Sequence, residues 1–281
     1  MPLYKEELRH FITATLDEDI GAGDLTTLAT IAADAQLKAQ MTARQTMVIA
    51  GIDIAAKIIH TVDSAIKIEI LAKDGLEVTA GNVIMRLEGN ARNILTVERS
   101  ALNTLQHLSG IATLTRLYVK QIEHTDCQLL DTRKTIPMMR KLAKYAARMG
   151  GATNHRMRLD DGILIKDNHI ASIGSVKGAI IAAKNYGSHK STIGITVECD
   201  TLEQAQQAVN AGADRLLLDN MSLEMLRTAV KDYKGRLKLE ASGGVTLETI
   251  KSIAETGVDF ISVGRITQSA PAVDIGLDYL N

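Results

Sequence analysis

The spacing of apolar residues divides the chain into two parts with different patterns. Between about residues 36 and 88, apolar and polar residues alternate, most strictly in Ile66-Lys67-Ile68-Glu69-Ile70, as is typical of strands with one face in a core. Asp74-Gly75 and Gly81-Asn82 are turn signals between such strands. Apolar residues at helical spacing predict helices over about residues 5–19 and 52–59. This part is therefore predicted to be an α+β domain with a largely antiparallel sheet.

The second part repeats one unit, a short apolar run followed by a helical stretch. Helices predicted over about residues 91–110 and 112–122 lead into it. Strands that alternate with helices predict parallel βα units, and closure into a barrel is the favoured arrangement. Because the chain shows six such strands and not eight, we expect an open or irregular α/β barrel. The predicted strands lie near residues 128–131, 163–165, 194–197, 215–218, 237–241 and 260–263.

Length and composition fit a soluble α/β protein with two domains. The chain has 281 residues, of which 46% are hydrophobic, and we assign residues 1–110 to the α+β domain and 111–267 to the barrel. A net charge of −1 gives no overall field for nucleic acid or an anionic membrane, so we expect neither as a partner.

The location of the protein is also predicted from the sequence. Acidic residues stand where a signal peptide would be apolar, and no apolar run approaches the ~20 residues of a membrane helix. Cys127 and Cys199 lack the spacing of a metal site or a disulfide framework, which favours a reducing compartment. We therefore expect a cytoplasmic protein.

Polar residues or glycines follow each of the six predicted barrel strands. The carboxyl ends of parallel strands meet at one face of a barrel, which is where barrel enzymes carry their active sites. Several of these residues are cations, so the sequence predicts an anionic small-molecule substrate. The residues in question are Arg133 with Lys134, Lys166, Glu198, Asp219 with Asn220, Ser242-Gly243-Gly244, and Gly264.

The cations differ in the anions that they suit. Arg133 and Arg156 carry planar guanidinium groups that recognise carboxylates, whereas Lys134 and Lys166 are point charges for phosphate oxygens. His155, beside Arg156, could also donate to a carboxylate, although a single histidine is more often structural. Together these residues describe a multiply anionic substrate pair.

The remaining strand-end residues have two interpretations each. Glu198 and Asp219 could hold Mg²⁺ or accept hydrogen bonds from a ribose, or they could be counter-ions of nearby lysines. The glycines of Ser242-Gly243-Gly244 and Gly264 could present backbone N–H groups to a phosphate, or they could only form tight turns. We favour the ligand-binding interpretation for both sets.

Other basic residues follow helical spacing and are interpreted as surface charges. Arg99 lies beside Glu98 on a predicted helix, and by spacing alone it is a surface residue. Arg140, Lys141, Lys144 and Arg148 are spaced as one solvated or partner-facing helix side.

Specific motifs along essentially the whole chain match one enzyme family in order. They include DTRKTIP at residues 131–137, LIKDNH at 164–169 and ASGGV at 241–245. On these residues the chain resembles the quinolinate phosphoribosyltransferases, also called decarboxylating nicotinate-nucleotide pyrophosphorylases. The other matching stretches are GAGDLTT at 21–27, ERSALNTL at 98–105, Asn154-His155-Arg156, Val197-Glu198, LLDN at 217–220 and Val263-Gly264.

The resemblance implies a fold, a reaction and an assembly. The fold is that of type II phosphoribosyltransferases, an N-terminal α+β sandwich domain, which residues 268–281 are expected to rejoin, and an open α/β barrel. The reaction is a pentosyl transfer of NAD biosynthesis. It moves the phosphoribosyl group of phosphoribosyl pyrophosphate to the nitrogen of quinolinate with decarboxylation, giving nicotinate mononucleotide, pyrophosphate and CO2 with Mg²⁺ as cofactor. The assembly is a homodimer or a higher homo-oligomer in which Arg99 reaches into the partner's site.

The resemblance also implies a role for each site residue. Arg133, His155 and Arg156 would bind the pyridine dicarboxylate, and Lys134 and Lys166 would lie near the pyrophosphate. Lys134, Lys166, Glu198 and Asp219 are the implied catalytic residues, the two acids serving the ribose hydroxyls and Mg²⁺. The implied 5-phosphate cradle consists of Ser242, Gly243, Gly244 and Gly264, and the substrate site further includes Thr132, Val263 and Arg265. Gln268 stands where the family often has a histidine, and Arg265 could compensate for that change.

Two other functions fit the same sequence features. One is a sister pyrophosphorylase of the same fold that acts on another acid acceptor, against which the intact Asn154-His155-Arg156 argues. The other is a non-catalytic nucleotide-binding regulator that keeps the phosphate cradle.

Overall fold

The computed structural model describes residues 5–187 and 194–280, which form two compact units. The first contains the residues up to Arg116, Lys141–Gly151 and the residues from Ser269 onward. The second contains Leu117–Arg140 and Ala152–Gln268. Lys141–Gly151 thus belongs to the first unit, although it lies within the residues predicted for the barrel.

The first unit is an α+β structure around a four-stranded antiparallel sheet. The strand order is β12-β1-β5-β3, so the last strand of the chain pairs with the first. A short pair, β2 with β4, stands apart from this sheet. The elements are α1 (Lys5–Ile20), α2 (Leu25–Thr30), β1 (Gln36–Ala43), β2 (Met47–Val48), α3 (Ile52–Val62), β3 (Lys67–Ile70), β4 (Glu77–Val78), β5 (Val83–Asn90), α4 (Ala91–Ile122), α5 (Arg140–Gly150) and β12 (Ile275–Tyr279). The last residues of α4, from Leu117 on, and Arg140 of α5 belong to the second unit.

Side-chain alternation explains the core of this unit. In β1, Met41 is opposite Met85 of β5 and Leu277 of β12, and both methionines are fully buried. The buried face of α3, which includes Ile58 and Ile59, adds to the core. The sequence therefore predicted the type of sheet correctly, because its apolar residues follow the period of two that a half-buried strand requires.

Three features of the helices differ from the sequence analysis. The predicted helices over 91–110 and 112–122 form one continuous helix, α4, so the predicted break at Gly110 is wrong. Gly110 serves close packing instead, because a Cβ atom there would lie 2.1 Å from the carbonyl oxygen of Pro271.

Lys144 on α5 is fully buried, so the basic residues of that helix do not all face solvent. Helix α2, capped by Asp24, was not predicted, because Leu25 and Leu28 are exposed and show no core-facing period.

We predict that Gly110→Ala destabilises the first unit. An alanine normally stabilises a helix interior by about 1 kcal/mol relative to glycine, but here its methyl group would overlap the backbone at Pro271. Overpacking of this kind costs about 3 kcal/mol, so the melting temperature should fall. Thermal unfolding measures the effect, and a raised melting temperature would contradict the close contact.

The second unit is an open α/β barrel built from six strands. Its strands are β6 (Gln128–Leu130), β7 (Ile163–Ile165), β8 (Ile195–Cys199), β9 (Arg215–Asp219), β10 (Lys238–Ser242) and β11 (Phe260–Ser262). Its helices are α6 (Asp167–Ile173), α7 (Val176–Gly187), α8 (Leu202–Ala211), α9 (Leu223–Tyr233), α10 (Ile250–Ala254) and α11 (Arg265–Gln268).

The six strands are all parallel and follow the order β6-β11-β10-β9-β8-β7. Strands β6 and β7 are the two edges, and a single bridge joins Leu130 of β6 to Thr153. The sheet is therefore open between β6 and β7, as the count of six strands predicted. Because the strands are parallel, their carboxyl ends share one face of the unit. None of the described helices is long and apolar enough to cross a membrane.

Candidate active site

Asp131 joins two segments at the carboxyl edge of the barrel. It follows β6, is fully buried, and accepts hydrogen bonds from Asn154 Nδ2 at 2.5 Å and from the backbone N–H of His155 at 2.9 Å. A buried carboxylate is stable when hydrogen-bond donors surround it. Asp131 thus fixes residues 154–156 beside the loop that begins at Thr132.

Arg133 and Arg156 form a pair of like charges in this region. Burial, followed by the charge of Arg133, lowers the pKa of the Arg156 guanidinium. Arg156 Nη1 donates to the carbonyl oxygen of Gly162 at 2.8 Å. Nε of Arg133 is buried and has no hydrogen-bond partner among the described residues. Two guanidinium groups whose charges act on each other, one of them with an unused buried donor, are suited to a ligand with two negative charges.

Side-chain hydrogen bonds hold the backbone of the loop that carries Thr132, Arg133 and Lys134. Thr132 Oγ1 accepts from the backbone N–H of Lys134 at 3.0 Å, and Thr267 Oγ1 donates to the Lys134 carbonyl at 2.8 Å. Arg140 Nη2 donates to the Arg133 carbonyl at 3.4 Å. Threonine and arginine side chains therefore hold the backbone, which leaves Lys134 itself exposed.

Gly264 packs directly against this loop. A Cβ atom at Gly264 would lie 2.8 Å from Lys134 Cδ and 3.4 Å from Thr132 Oγ1. The structure thus brings together three predicted site residues from two strand ends. Val263, the residue before Gly264, is buried and donates its N–H to the Leu130 carbonyl at 3.0 Å, so its visible role is to pair β11 with β6.

Lys166 and Glu198 are paired across adjacent strands. Lys166 follows β7, Glu198 lies in β8, and Lys166 Nζ is 2.5 Å from Glu198 Oε2. The backbone N–H of Lys166 donates to His169 Nδ1 at 2.9 Å, which fixes the start of α6. The Lys166 side chain is 45% exposed and Glu198 only 13%, so the lysine faces the solvent side of the pair.

The ends of β9 and β10 form a second tightly packed corner. Asp219 is opposite Ser242 in the strand register, and the N–H of Asn220 donates to the Ser242 carbonyl at 2.9 Å. Asn220 Nδ2 donates to Asp219 Oδ2 at 2.7 Å. Gly243 has a φ of +92°, and a Cβ atom there would lie 2.1 Å from Asn220 Oδ1. Only glycine fits at 243, where the backbone turns below the exposed Gly244.

The carboxylates of this face fit Mg²⁺ better than a metal that protein ligands enclose. Glu198 lies one residue before the end of β8, Asp219 ends the adjacent β9, and both offer oxygen donors, which Mg²⁺ prefers. Among the described residues there is no group of three or more His, Cys, Asp or Glu side chains that could hold a metal. Mg²⁺ commonly uses one or two carboxylates together with substrate phosphates, so this donor set is compatible with it.

Three further residues predicted for the site are exposed in the structure. Arg99 belongs to the first unit, is exposed, and pairs with Glu98 at 2.7 Å. Arg265 is exposed at the start of α11, and its charge partly offsets the effect of burial, which raises the pKa of Tyr118. Gln268, at the end of α11, is also exposed.

Several residues that shape the site were not predicted from the sequence. Glu240 is the clearest of them, because a charged residue between the buried Leu239 and Ala241 is a visible signal in a predicted core strand. Asp131 was quoted within a motif without a role. The side chains of Arg140 and Thr267 donate to backbone carbonyls, and such contacts cannot be predicted from the sequence pattern.

The two cysteines are unsuited to covalent catalysis. Cys127 and Cys199 are buried, and burial raises the pKa of each thiol to about 12. At pH 8 only about one thiol in ten thousand would be ionised, so we predict no rapid reaction of the folded protein with a thiol reagent. Both thiols should react after unfolding in guanidinium. A fast-reacting thiol in the folded protein would contradict this burial.

The fold and the site together define an α/β-barrel protein that binds a multiply anionic small molecule at its strand ends. The family models for the quinolinate phosphoribosyl transferase N-terminal and C-terminal domains match residues 24–109 and 111–278. The chain belongs to the quinolinate phosphoribosyltransferase family.

Individual relatives agree with this assignment over nearly their full length. The chain is 39% identical to the nicotinate-nucleotide pyrophosphorylase [carboxylating] of Mycobacterium leprae, with 96% of each chain covered. It is 38% identical to the chloroplastic enzyme of that name in Arabidopsis thaliana, covering 96% of this chain and 82% of the relative. The solved structure of the nicotinate-nucleotide pyrophosphorylase from Francisella tularensis matches with a TM-score of 0.93 and 40% identity, covering 99% of this chain and 98% of that one.

Proposed function

We propose that this protein transfers the phosphoribosyl group of phosphoribosyl pyrophosphate to quinolinate and releases nicotinate mononucleotide, pyrophosphate and CO2. The observation that carries the proposal is the Arg133–Arg156 pair, in which the charge of Arg133 lowers the pKa of Arg156 and the buried Arg133 Nε lacks a partner in the described chain. Quinolinate carries two adjacent carboxylates on a planar ring, which matches two planar guanidinium groups.

The remaining site residues divide between the two substrates. Lys134 and Lys166 supply charge for pyrophosphate oxygens, and Ser242, Gly243, Gly244 and Gly264 supply a backbone cradle for the 5-phosphate. Thr132 and Val263 shape the loop and strand beside that cradle, and Arg265 adds positive charge at its rim. The contact of His155 with a substrate carboxylate stays a prediction, because in this structure Nδ1 of its ring accepts from the Arg156 N–H at 2.7 Å and its Nε2 faces Glu240.

Glu198 and Asp219 would hold Mg²⁺ and the ribose hydroxyls. When bound, Mg²⁺ neutralises charge on the pyrophosphate group. Glu198 pairs with Lys166, so the site offers an anion and a cation side by side. The lysine would contact the pyrophosphate, and the glutamate would contact the ribose.

The chemistry needs positioning and charge neutralisation more than acid–base groups. The pyridine nitrogen uses its lone pair to attack the anomeric carbon, and the C–O bond to pyrophosphate breaks with its electron pair leaving on pyrophosphate. The quaternary nitrogen then stabilises a carbanion at the adjacent ring carbon, whose carboxylate departs as CO2 before that carbon takes a proton from water. No general base is required for the first step, which agrees with a site rich in cations and held in fixed geometry.

We further propose that the active form is a cytoplasmic homodimer or a larger homo-oligomer. Arg99 would contribute to the partner's site, which the exposure of its side chain permits. Exchange of Arg99 for alanine in one subunit of a mixed dimer would test this, since only the partner's site should then lose quinolinate binding.

One experiment separates this enzyme from a non-catalytic regulator and from a sister pyrophosphorylase. Calorimetry measures the binding of quinolinate and of phosphoribosyl pyrophosphate, and a product assay with the same protein measures turnover with and without Mg²⁺. The proposal expects binding of both ligands and turnover that chelation abolishes. Tight binding without turnover would support the regulator, and failure to bind quinolinate would support the sister enzyme.

A further inference from the structure

Glu240 is a carboxylate buried inside the barrel, beneath the candidate active site. It lies in the middle of β10, is fully buried, and has buried apolar neighbours in the chain on both sides. One of its oxygens, Oε2, accepts from Arg215 Nη1 at 3.2 Å and lies 3.5 Å from His155 Nε2. Its other oxygen, Oε1, is buried without a hydrogen-bond partner in the described chain.

The charge on Glu240 is maintained by its surroundings. Burial raises the pKa of this carboxyl, but His155, the Ser262 hydroxyl and Arg215 lower it more, so the pKa lies below its ordinary value. Arg215 is itself held in place, with its guanidinium 4.4 Å from the centre of the Phe260 ring. An ionised carboxylate in a protein interior is costly unless it is paired, so its presence here points to a positional task.

The partner of Glu240 on the site side is the ring of His155. Nδ1 of this ring accepts the backbone N–H of Arg156 at 2.7 Å, so a neutral ring carries its proton on Nε2, which is the atom that faces Glu240. The backbone N–H of His155 donates to the buried Asp131 at 2.9 Å. Two buried carboxylates therefore hold His155, one through its ring and one through its backbone.

Holding His155 also holds Arg156. The two residues are joined by the peptide bond and by the hydrogen bond from the Arg156 N–H to the His155 ring. A rotation of the His155 ring would break that hydrogen bond and release the backbone from which the Arg156 guanidinium extends. An arginine binds a planar carboxylate well only in one orientation, so a mobile backbone at Arg156 would weaken this binding.

We propose that Glu240 is a positioning residue for quinolinate, which fixes the His155 ring and through it the direction of Arg156. The proposal rests on the proposed function, since it assigns Glu240 to the quinolinate half of the site. Glu240 does not touch the substrate. Its effect is therefore expected on quinolinate binding and not on phosphoribosyl pyrophosphate.

Two substitutions separate this role from a general contribution to stability. In Glu240→Gln the carbonyl oxygen can take the place of Oε2 and accept from both Arg215 and His155, while the amide replaces the unpartnered Oε1. Glu240→Leu removes the contacts with Arg215 and His155, and that with Ser262. We expect Glu240→Gln to keep the quinolinate Kd within about threefold of wild type and Glu240→Leu to raise it about tenfold or more. The Kd for phosphoribosyl pyrophosphate should change less than about twofold in both.

A double-mutant cycle tests whether Glu240 acts through His155. His155→Leu should itself weaken quinolinate binding, and Glu240→Leu should then cause no further loss beyond about twofold. Glu255→Gln is a matched control, because Glu255 also pairs with a histidine, His124 at 3.1 Å, but at an exposed position of the same unit. It should leave both dissociation constants unchanged.

The outcomes are distinct from those that test the proposed function. Calorimetry measures quinolinate binding without turnover, so a protein that binds but does not react would count against the proposed function alone. A selective loss with Glu240→Leu that glutamine restores and that disappears in the His155→Leu background supports the proposal. Equal loss for both substrates, no loss, the same loss in both backgrounds, or failure of Glu240→Gln to fold would overturn it.

Discussion

Arg156→Ala is expected to lower kcat/KM for quinolinate about a thousandfold while phosphoribosyl pyrophosphate still binds. Arg156 is partly buried beside Arg133, so its guanidinium would meet a carboxylate with little competing water. Two charge-assisted hydrogen bonds together contribute about 4 kcal/mol, which corresponds to three orders of magnitude. Steady-state kinetics with each substrate varied in turn gives the value, and calorimetry gives the remaining affinity for phosphoribosyl pyrophosphate.

Arg158→Ala is the control for this experiment. Arg158 is two residues further along, is exposed, and pairs with Asp160 at 3.0 Å. Its removal should change kcat/KM less than about twofold, because exposed ion pairs contribute little. Equal loss of binding for both substrates in Arg156→Ala would contradict the assignment of Arg156 to quinolinate.

Gly243→Ala is expected to raise the KM for phosphoribosyl pyrophosphate about a hundredfold. The alanine would carry a positive φ of 92°, and its Cβ would overlap Asn220 Oδ1 at 2.1 Å. Strain and overlap together cost about 3 kcal/mol, which displaces the turn between β10 and the following residues. Quinolinate affinity, measured by calorimetry, should stay within about threefold, because Arg133 and Arg156 lie on other segments.

Gly235→Ala isolates the effect of the overlap at Gly243. Gly235 has a similar φ of +86° in the same unit, but a Cβ atom there meets no atom within 4 Å. This variant should lose some stability and keep the KM for phosphoribosyl pyrophosphate. Similar KM values for the two alanine variants would show that backbone strain alone, and not the crowded corner at Asn220, explains the result.

The sequence predicted the barrel strands well because their signal is local. Short apolar runs bounded by glycines or charges gave all six strands to within a residue or two, as in β7 and β11. The strand ends then gave Lys166, Glu198 and Asp219 as neighbours, because parallel order alone places them on one face. The pairing of Lys166 with Glu198 follows from that order and from opposite charge.

The features that the sequence did not reveal depend on residues far apart in the chain. Gly110 of α4 packs against the backbone of Pro271, which no local pattern connects to it. The role of Glu240 requires Arg215 and His155, which come from two other segments. The motifs identified Asn154-His155-Arg156 as a unit, but only the structure shows that Asp131 holds it.

The most direct test combines the protein with quinolinate, phosphoribosyl pyrophosphate and Mg²⁺ and measures nicotinate mononucleotide and CO2, with nicotinate in place of quinolinate as the control. The proposed function assigns Arg133 and Arg156 to the two carboxylates of quinolinate, so we expect equal amounts of both products from quinolinate and no nucleotide from nicotinate. Nucleotide formation from nicotinate at a comparable rate, or no product from quinolinate although both substrates bind, would contradict the proposed function.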